Sequence, residues 1–299
     1  RNANTALYAM FSPDFHFDEK IQDYVGGQFW DGRAKDLAEQ AGGPPVNPVE
    51  MGMPDKLSVA KRIINTPMYF TLFTQHYGKD TWQSVDSVYS AMEDALAVFQ
   101  KEKRLLHPFD SKYDKSLQGK YAMTAQEKRG KQLFFDNTKT NCSNCHQAQD
   151  AEHTEETFTN YRYYNMGVPK NRRLIAHNQL SQDFIDNGLL DNPMVKGDQR
   201  QKGKFKVPTL RNIAVTAPYM HNGVFKHLRT VLEYFDHFNN PARKLNPETQ
   251  QAWEAPEYAA TMNLEELKAP PLSDEQLDDL EAFLKTLTDE RYETLLKQQ

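Results

Sequence analysis

The feature that most constrains this chain is a C-x-x-C-H motif. The only two cysteines of the 299-residue sequence are Cys142 and Cys145, and His146 follows directly. This is the attachment signature of a c-type haem. Two thiols on one turn can each form a thioether to a haem vinyl group, and the adjacent imidazole can then bind the iron as proximal ligand. The chain is therefore predicted to fold around a covalently attached haem.

Two other readings of the motif are weaker. A structural zinc site takes four ligands, and only three nitrogen or sulfur donors are local here. A thioredoxin-like redox pair follows a strand in a βαβ unit, whereas here a capped helix is predicted just before the motif. Two cysteines this close also cannot form a disulfide framework.

Composition narrows the class of protein. The net charge of -5 and the pI near 6.0 argue against nucleic acid or an anionic membrane surface as the main partner. No apolar run approaches the roughly 18 residues of a membrane span, and no signal peptide is recognised. The sequence begins at RNANTAL without an initiator Met, so we expect a processed or trimmed product.

The pattern predicts a mainly α fold with long irregular connections. Capping boxes at Thr124-x-x-Glu127 and Ser273-x-x-Gln276 mark two helix starts, and Ser58 is a plausible N-cap. Helices are predicted within residues 58–75, 82–101, 124–135, 225–236 and 273–288. No convincing strand pair is visible. Long loops at 33–56, 147–205 and 237–272 would have a purpose if they wrap a bulky buried group.

The segment 106–123 is polar, rich in turn residues and without a period, so we interpret it as a linker. It divides the chain into an N-terminal domain, 1–117, and a C-terminal c-type haem domain, 118–299. A helix, the C-x-x-C-H motif and a closing amphipathic helix fit a cytochrome c-like domain in the C-terminal part.

Five stretches together resemble the bacterial di-haem cytochrome c peroxidase family, which includes the MauG-type enzymes. They are RNANTAL at 1–7, QFWDGRAKDLAEQA at 28–41, PPVNPVEM at 44–51, NCSNCHQ at 141–147 and FKVPTLRNIAVTAPYMHNGVF at 205–225. The resemblance covers nearly the whole chain, in order. It implies two cytochrome c-like helical haem domains with a calcium ion between them, one haem reacting with peroxide and the other handling electrons.

The resemblance also assigns roles to residues. His146 would be the proximal ligand of the C-terminal, electron-handling haem. Trp30 matches a tryptophan between the two haems. Glu50 matches the distal glutamate that moves a proton during O–O cleavage, and Gln40 and Pro44 match the same distal pocket.

A calcium site is the next implication. Asn2 matches its side-chain ligand, and Thr216 and Pro218 match positions that supply backbone carbonyls, an oxygen set that calcium prefers. His221 has two readings left open, a contact near a haem propionate or a cap on the following helix.

The N-terminal domain departs from the family because its haem motif is absent. Members carry a C-x-x-C-H upstream of the RN dipeptide with which this sequence begins, so we expect the sequence to be a C-terminal part with an incomplete N-terminal domain. A second haem is then expected in the intact protein. A true mono-haem relative is the alternative.

The sixth ligand of the C-terminal haem is a second departure. The family places Met or Tyr where a gapless count puts Phe235, which cannot bind iron. Its neighbour Tyr234, or Met262 in the following loop, is the substitute predicted here, and Met166 and Met220 are further candidates. Met would raise the haem potential, whereas Tyr should lower it.

Three functions follow from these observations. The first is a periplasmic peroxidase that reduces hydrogen peroxide to water with electrons from a small c-type cytochrome or cupredoxin. The second is a MauG-like oxidase that modifies side chains of a partner protein. The third, of another class, is a non-enzymatic mono-haem electron carrier. The sequence leaves the physiological donor and a homodimeric state open.

Overall fold

The structure, a computed structural model, describes residues 1–148, 156–195 and 197–298. In this part of the chain the regular structure is mainly helical, as predicted. The helices are α1 Leu37–Gly42, α2 Lys56–Ile64, α3 Pro67–Tyr77, α4 Val85–Gln100, α5 Lys103–Leu106, α6 Lys112–Leu117, α7 Ala125–Phe135, α8 Cys142–Cys145, α9 Arg172–His177, α10 Leu228–His237, α11 Leu264–Leu267 and α12 Asp274–Lys285. None of the helices in the described ranges is long and apolar enough to cross a membrane.

In the described residues, three short antiparallel strand pairs accompany the helices, although the sequence showed no convincing pair. They are β1 His16–Asp18 with β2 Asp23–Val25, β3 Tyr163–Tyr164 with β4 Phe205–Lys206, and β5 Leu245–Asn246 with β6 Gln251–Ala252. Strands of two or three residues carry too little alternation to be read from sequence. The register of the β3–β4 pair sets Tyr163 opposite Lys206.

The N-terminal half packs α2 and α4 around a small core, with α1 also against α4. The predicted helix 58–75 is wrong as a single helix. Asp55 caps α2 by accepting from the Ser58 backbone, α2 ends at Ile64, and α3 restarts at Pro67. Proline lacks the N–H that a continuous helix needs, so the break falls where Pro67 stands.

The C-terminal half packs α7 along α12, with α10 against α12. Both predicted capping boxes are present, at Thr124 and at Ser273. Aromatic rings of Phe134, Phe158 and Phe283 meet in the centre of this core. The two longest helices of this half thereby enclose one side of the C-x-x-C-H segment.

The segment 106–123 contains structure that the linker interpretation does not anticipate. It holds α6, with a complete capping box at Ser111 and Asp114. Tyr113, which is 2% exposed, belongs to the C-terminal core. His107, Ser111 and Asp114 are buried, so the first half of this segment is packed structure and not a solvated tether. The domain boundary at 117/118 stays a prediction.

Candidate haem site

The C-x-x-C-H segment forms α8, a single helical turn of Cys142–Cys145, and His146 follows its end. The His146 backbone N–H donates to the Cys142 carbonyl at 2.9 Å. One turn therefore presents both thiols and the imidazole together, because residues three apart on a helix share a face. Both cysteines are half-buried.

The His146 ring is held in one tautomer. Its Nδ1 lies 3.0 Å from the Phe158 carbonyl oxygen, which can only accept, so Nδ1 carries the proton. Nε2 is then the ring atom with a free lone pair, as a metal ligand needs. Burial lowers the pKa of His146 to about 4, against the backbone hydrogen bonds to Phe158 and Pro208. The imidazole is neutral at pH 7 and suited to bind iron.

The two thiols differ from those of a redox pair. Burial raises the pKa of Cys142, and it raises that of Cys145 to about 11. A thioredoxin-type pair depends on a lowered thiol pKa, so the raised pKa values of Cys142 and Cys145 disfavour a redox pair. Within residues 1–148, 156–195 and 197–298, no cluster of three His, Cys, Asp or Glu side chains is arranged to hold a metal ion alone. A closed zinc site is thus disfavoured too.

A cavity of about 380 Å³ opens beside the motif, and Cys142, Cys145 and His146 line it. Apolar side chains of α10 and α12 make much of its wall: Val231, Leu232, Phe235, Leu277, Leu280 and Leu284. Such a wall suits the flat apolar ring of a porphyrin and keeps water from it. The residues present therefore fit a c-type haem, with the thiols as attachment points and His146 as axial ligand.

Trp30 lies on the wall of the same cavity and is 9% exposed. Its indole Nε1 donates to the Asn2 carbonyl at 2.9 Å, and its own carbonyl accepts from the Lys206 N–H at 2.9 Å. Hydrogen bonds therefore hold both the side chain and the backbone of Trp30. The structure brings Trp30 and His146 together, although they stand far apart in sequence.

The three predicted calcium ligands also meet on this wall. The Asn2 amide Nδ2 donates to the Pro218 carbonyl at 2.6 Å, and Thr216 lies two residues before Pro218. A calcium ion would require the Asn2 oxygen in place of that nitrogen, which a half-turn of the amide provides. The calcium role of Asn2, Thr216 and Pro218 stays a prediction.

The predicted distal residues lie elsewhere. Glu50 is exposed and accepts from the Asn47 side-chain amide at 2.7 Å, while Gln40 is half-buried on α1. Neither they nor Pro44 line the cavity that holds His146. If they serve a haem, it is a different one, and their roles stay predictions.

The substitute sixth ligands are not on the cavity wall either. The Tyr234 hydroxyl donates to the Met166 carbonyl at 3.0 Å, and its ring packs against Phe225 and Trp253. Met262 lies beside Gly167. Phe235, Met166 and Met220 do line the cavity. Tyr234 and Met262 thus do not line the cavity that His146 lines, and their ligand role stays a prediction.

Sequence reasoning named His221 but missed the half-buried ionisable groups beside it, Arg1, Asp186 and Glu257. Arg1 pairs with Asp186, with its Nε 2.7 Å from a carboxylate oxygen, and Glu257 approaches the His221 ring at 4.0 Å. His221 stacks on Phe205 with ring centroids 3.5 Å apart. Burial lowers the pKa of His221 to about 3 and raises that of Glu257.

Lys206, which also lines the cavity, is another residue that sequence reasoning did not identify. The only signal for it was a lysine inside the otherwise apolar run FKVP, which by itself predicts nothing.

Comparison with known proteins adds a family. The family model described as di-haem cytochrome c peroxidase matches residues 1–122. Methylamine utilization protein MauG of Paracoccus denitrificans is 44% identical over 302 residues, which are 100% of this chain and 76% of that protein. Cytochrome c peroxidase Ccp of Escherichia coli is 36% identical over 201 residues, 66% of this chain and 37% of that one.

A solved structure is similar over almost the whole chain. The diheme peroxidase BthA from Burkholderia thailandensis superposes with a TM-score of 0.83 at 30% sequence identity. The match covers 98% of this chain and 73% of that one.

Proposed function

This chain belongs to the di-haem cytochrome c peroxidase/MauG family, and on that premise we propose that it is a periplasmic peroxidase reducing hydrogen peroxide to water. Its relatives are cytochrome c peroxidases and MauG oxidoreductases, so the chain is an enzyme of the peroxidase-like oxidoreductase class. The third function considered from the sequence, a non-enzymatic electron carrier, is therefore not supported. Electrons would come from a small c-type cytochrome or cupredoxin.

One observation carries the proposal: His146, both cysteines and Trp30 line a single cavity. When bound there, a haem supplies an iron that exchanges single electrons. His146 would bind the iron through Nε2, and the Phe158 carbonyl would hold the ring in that orientation. Trp30, buried and fixed at both ends, would lie on the electron path to a second haem.

The second haem of the intact protein is proposed to lie beside Glu50 and Gln40. The surface there supports the idea, because Val49 and Met51 are 81% and 70% exposed. The neighbouring helix α3 contains no buried residue. Large apolar side chains left this exposed mark a surface that another group covers. Glu50 would hold and move a proton at its carboxylate while peroxide is reduced to water.

Glu50→Gln tests the proposal directly. The amide cannot exchange the proton, so peroxide turnover is expected to fall by about 10²-fold or more, in the range for a lost general acid–base group. The spectrum of the haem at His146 should not change, because Glu50 does not line its cavity. Glu19→Gln, another exposed carboxylate, is the control. Equal turnover in the two variants would sink the role of Glu50.

A second candidate is a MauG-like oxidase that modifies side chains of a partner protein. The observation that favours it is the 44% identity to MauG over the full chain, higher than the 36% to the Escherichia coli peroxidase. Mass spectrometry of a candidate protein substrate after incubation with enzyme and peroxide separates the two. Oxidised side chains on the partner, with slow oxidation of a small c-type cytochrome, would replace the first proposal by the second.

A further inference from the structure

Lys206 is a buried cation on the cavity wall. Lys206 is 9% exposed and lies on β4. The ammonium Nζ donates to the Gly27 carbonyl and lies 3.3 Å from the Ser12 hydroxyl. An ammonium has three N–H donors, so one of them has no hydrogen-bond acceptor among the described residues.

No carboxylate in the described ranges lies within ion-pair distance of Lys206. The nearby acids have other partners: Asp31 pairs with Arg1 and Arg33, and Asp186 pairs with Arg1. Burial lowers the pKa of Lys206 to about 7, and the charge of Asp31 only partly opposes this. A buried charge is costly unless it is paired, so an anion in the cavity would stabilise the protonated form of Lys206.

The cavity wall has apolar and polar parts. Leucine, valine and phenylalanine side chains from α10 and α12 form much of the apolar part. Around Trp30 the wall is polar, because Asn2 and Lys206 hydrogen-bond to Trp30 through their backbones and Gln28 and His221 line the same cavity. A haem has the same division, because its ring is apolar and its two propionate carboxylates share one edge.

The backbone ties Lys206 to Trp30, because the Lys206 N–H donates to the Trp30 carbonyl at 2.9 Å. Lys206, Val207 and Pro208 line the cavity that His146 also lines. The segment that carries Lys206 therefore lies on the same cavity wall as both Trp30 and His146.

We propose that Lys206 binds a propionate carboxylate of the haem held by His146 and ties that edge of the haem to the Trp30 loop. The inference rests on the proposed function, since it needs the haem. Lys206 would then have three acceptors, the Gly27 carbonyl, the Ser12 hydroxyl and the propionate. Asp186 and Glu257 also line the cavity, and Asp186 already pairs with Arg1.

The test compares four holoproteins: wild type, Lys206→Gln, Lys206→Arg and the control Lys204→Gln. Lys204 stands two residues away on the same segment but does not line the cavity. After haem content is confirmed equal, the midpoint potential of the haem at Cys142 and Cys145 is measured spectroelectrochemically. A nearby cation favours the reduced iron, and this effect is strong where water is excluded. Lys206→Gln is expected to lower the potential, Lys206→Arg to restore most of it, and Lys204→Gln to match wild type.

Equal potentials in all four proteins would overturn the inference while leaving the haem at His146 intact. An equal fall in both Lys206 variants would also overturn it, because charge would not be the cause. If Lys206→Gln does not fold, Lys206→Arg decides by resonance Raman spectroscopy. The propionate bending band should shift as the guanidinium replaces the ammonium, and an unchanged band contradicts the contact. A wild-type protein without haem overturns the proposed function as well.

Discussion

At the residue scale, Arg211 is the most completely buried charged side chain near the haem segment. Its guanidinium makes two parallel bonds to the Asp114 carboxylate, at 2.7 and 2.9 Å, and its Nε donates to the Glu156 carbonyl at 2.8 Å. Four aromatic rings surround it: Tyr8, Phe109, Tyr113 and Phe158. Because Phe158 also accepts from His146, this cluster supports the proximal ligand.

Arg211→Met is therefore expected to lower the free energy of unfolding by about 3–5 kcal/mol, since it leaves the Asp114 carboxylate buried without its partner. The measurement is urea denaturation followed by circular dichroism. Arg200→Met is the control, because the Arg200 side chain is 86% exposed and its pair with Asp198 is solvated. If the two variants unfold at the same urea concentration, the Arg211–Asp114 pair does not stabilise the fold as argued.

Single residues were predictable from the sequence only where a motif names them. Cys142, Cys145 and His146 follow from their spacing alone, and the structure adds the Phe158 contact that fixes the tautomer. Lys206 could not be predicted, because its significance comes from burial and from contacts with Gly27 and Ser12 that are distant in sequence.

At the element scale, helix starts were readable and helix continuity was not. The capping boxes at Thr124 and Ser273 are local chemistry, so sequence suffices for them. The apolar periodicity that predicts a helix within residues 82–101 is correct, since α4 lies there. Leu96 and Phe99 of α4 are nevertheless 40% and 53% exposed. Periodicity gives the face of a helix but not whether a neighbour covers it.

The contact between α7 and α12 depends on one glycine. A Cβ added at Gly130 would lie 1.8 Å from the Asp279 carbonyl oxygen and 2.9 Å from the Phe283 Cβ. The first of these is backbone, so the two helices would have to separate. Gly130 thus sets how closely the helices that enclose the haem segment can pack.

Gly130→Ala is expected to lower the free energy of unfolding by about 2 kcal/mol or more, because the overpacking cost exceeds the roughly 1 kcal/mol that alanine gains in a helix. Thermal and urea denaturation measure it. Gly42→Ala is the matched control: there the added Cβ meets the end of the flexible Glu93 side chain, which can move away. A Gly130→Ala protein as stable as Gly42→Ala would show that the α7–α12 contact is not this tight.

At the scale of the whole molecule, the sequence predicted the class of fold but not how its parts meet. That Trp30, Asn2 and His146 share a cavity is a result of tertiary packing between segments more than a hundred residues apart. The resemblance to a family implied it, whereas no local pattern does. Glu50 and Gln40 do not line that cavity, which is consistent with the proposed second haem.

Calcium is predicted to act between those centres. Removing it with a chelator should slow electron exchange between the haems, because Asn2 contacts both the Trp30 indole and the Pro218 carbonyl. Rapid-mixing absorbance spectroscopy follows this exchange. Asn2→Ala should be slow already and insensitive to chelator, whereas Asn4→Ala, on the same wall, should behave as wild type. A wild-type rate unaffected by chelator would remove Asn2, Thr216 and Pro218 as calcium ligands.

The central claim is that this chain holds a haem through the C-x-x-C-H turn, and tandem mass spectrometry of the peptide that carries Cys142 and Cys145 tests it most directly. In protein produced with haem-attachment machinery, this peptide is expected to carry the mass of one haem bound through both sulfurs. Replacing either cysteine by alanine should leave one thioether. An unmodified peptide with two free thiols would rule out covalent haem at this site.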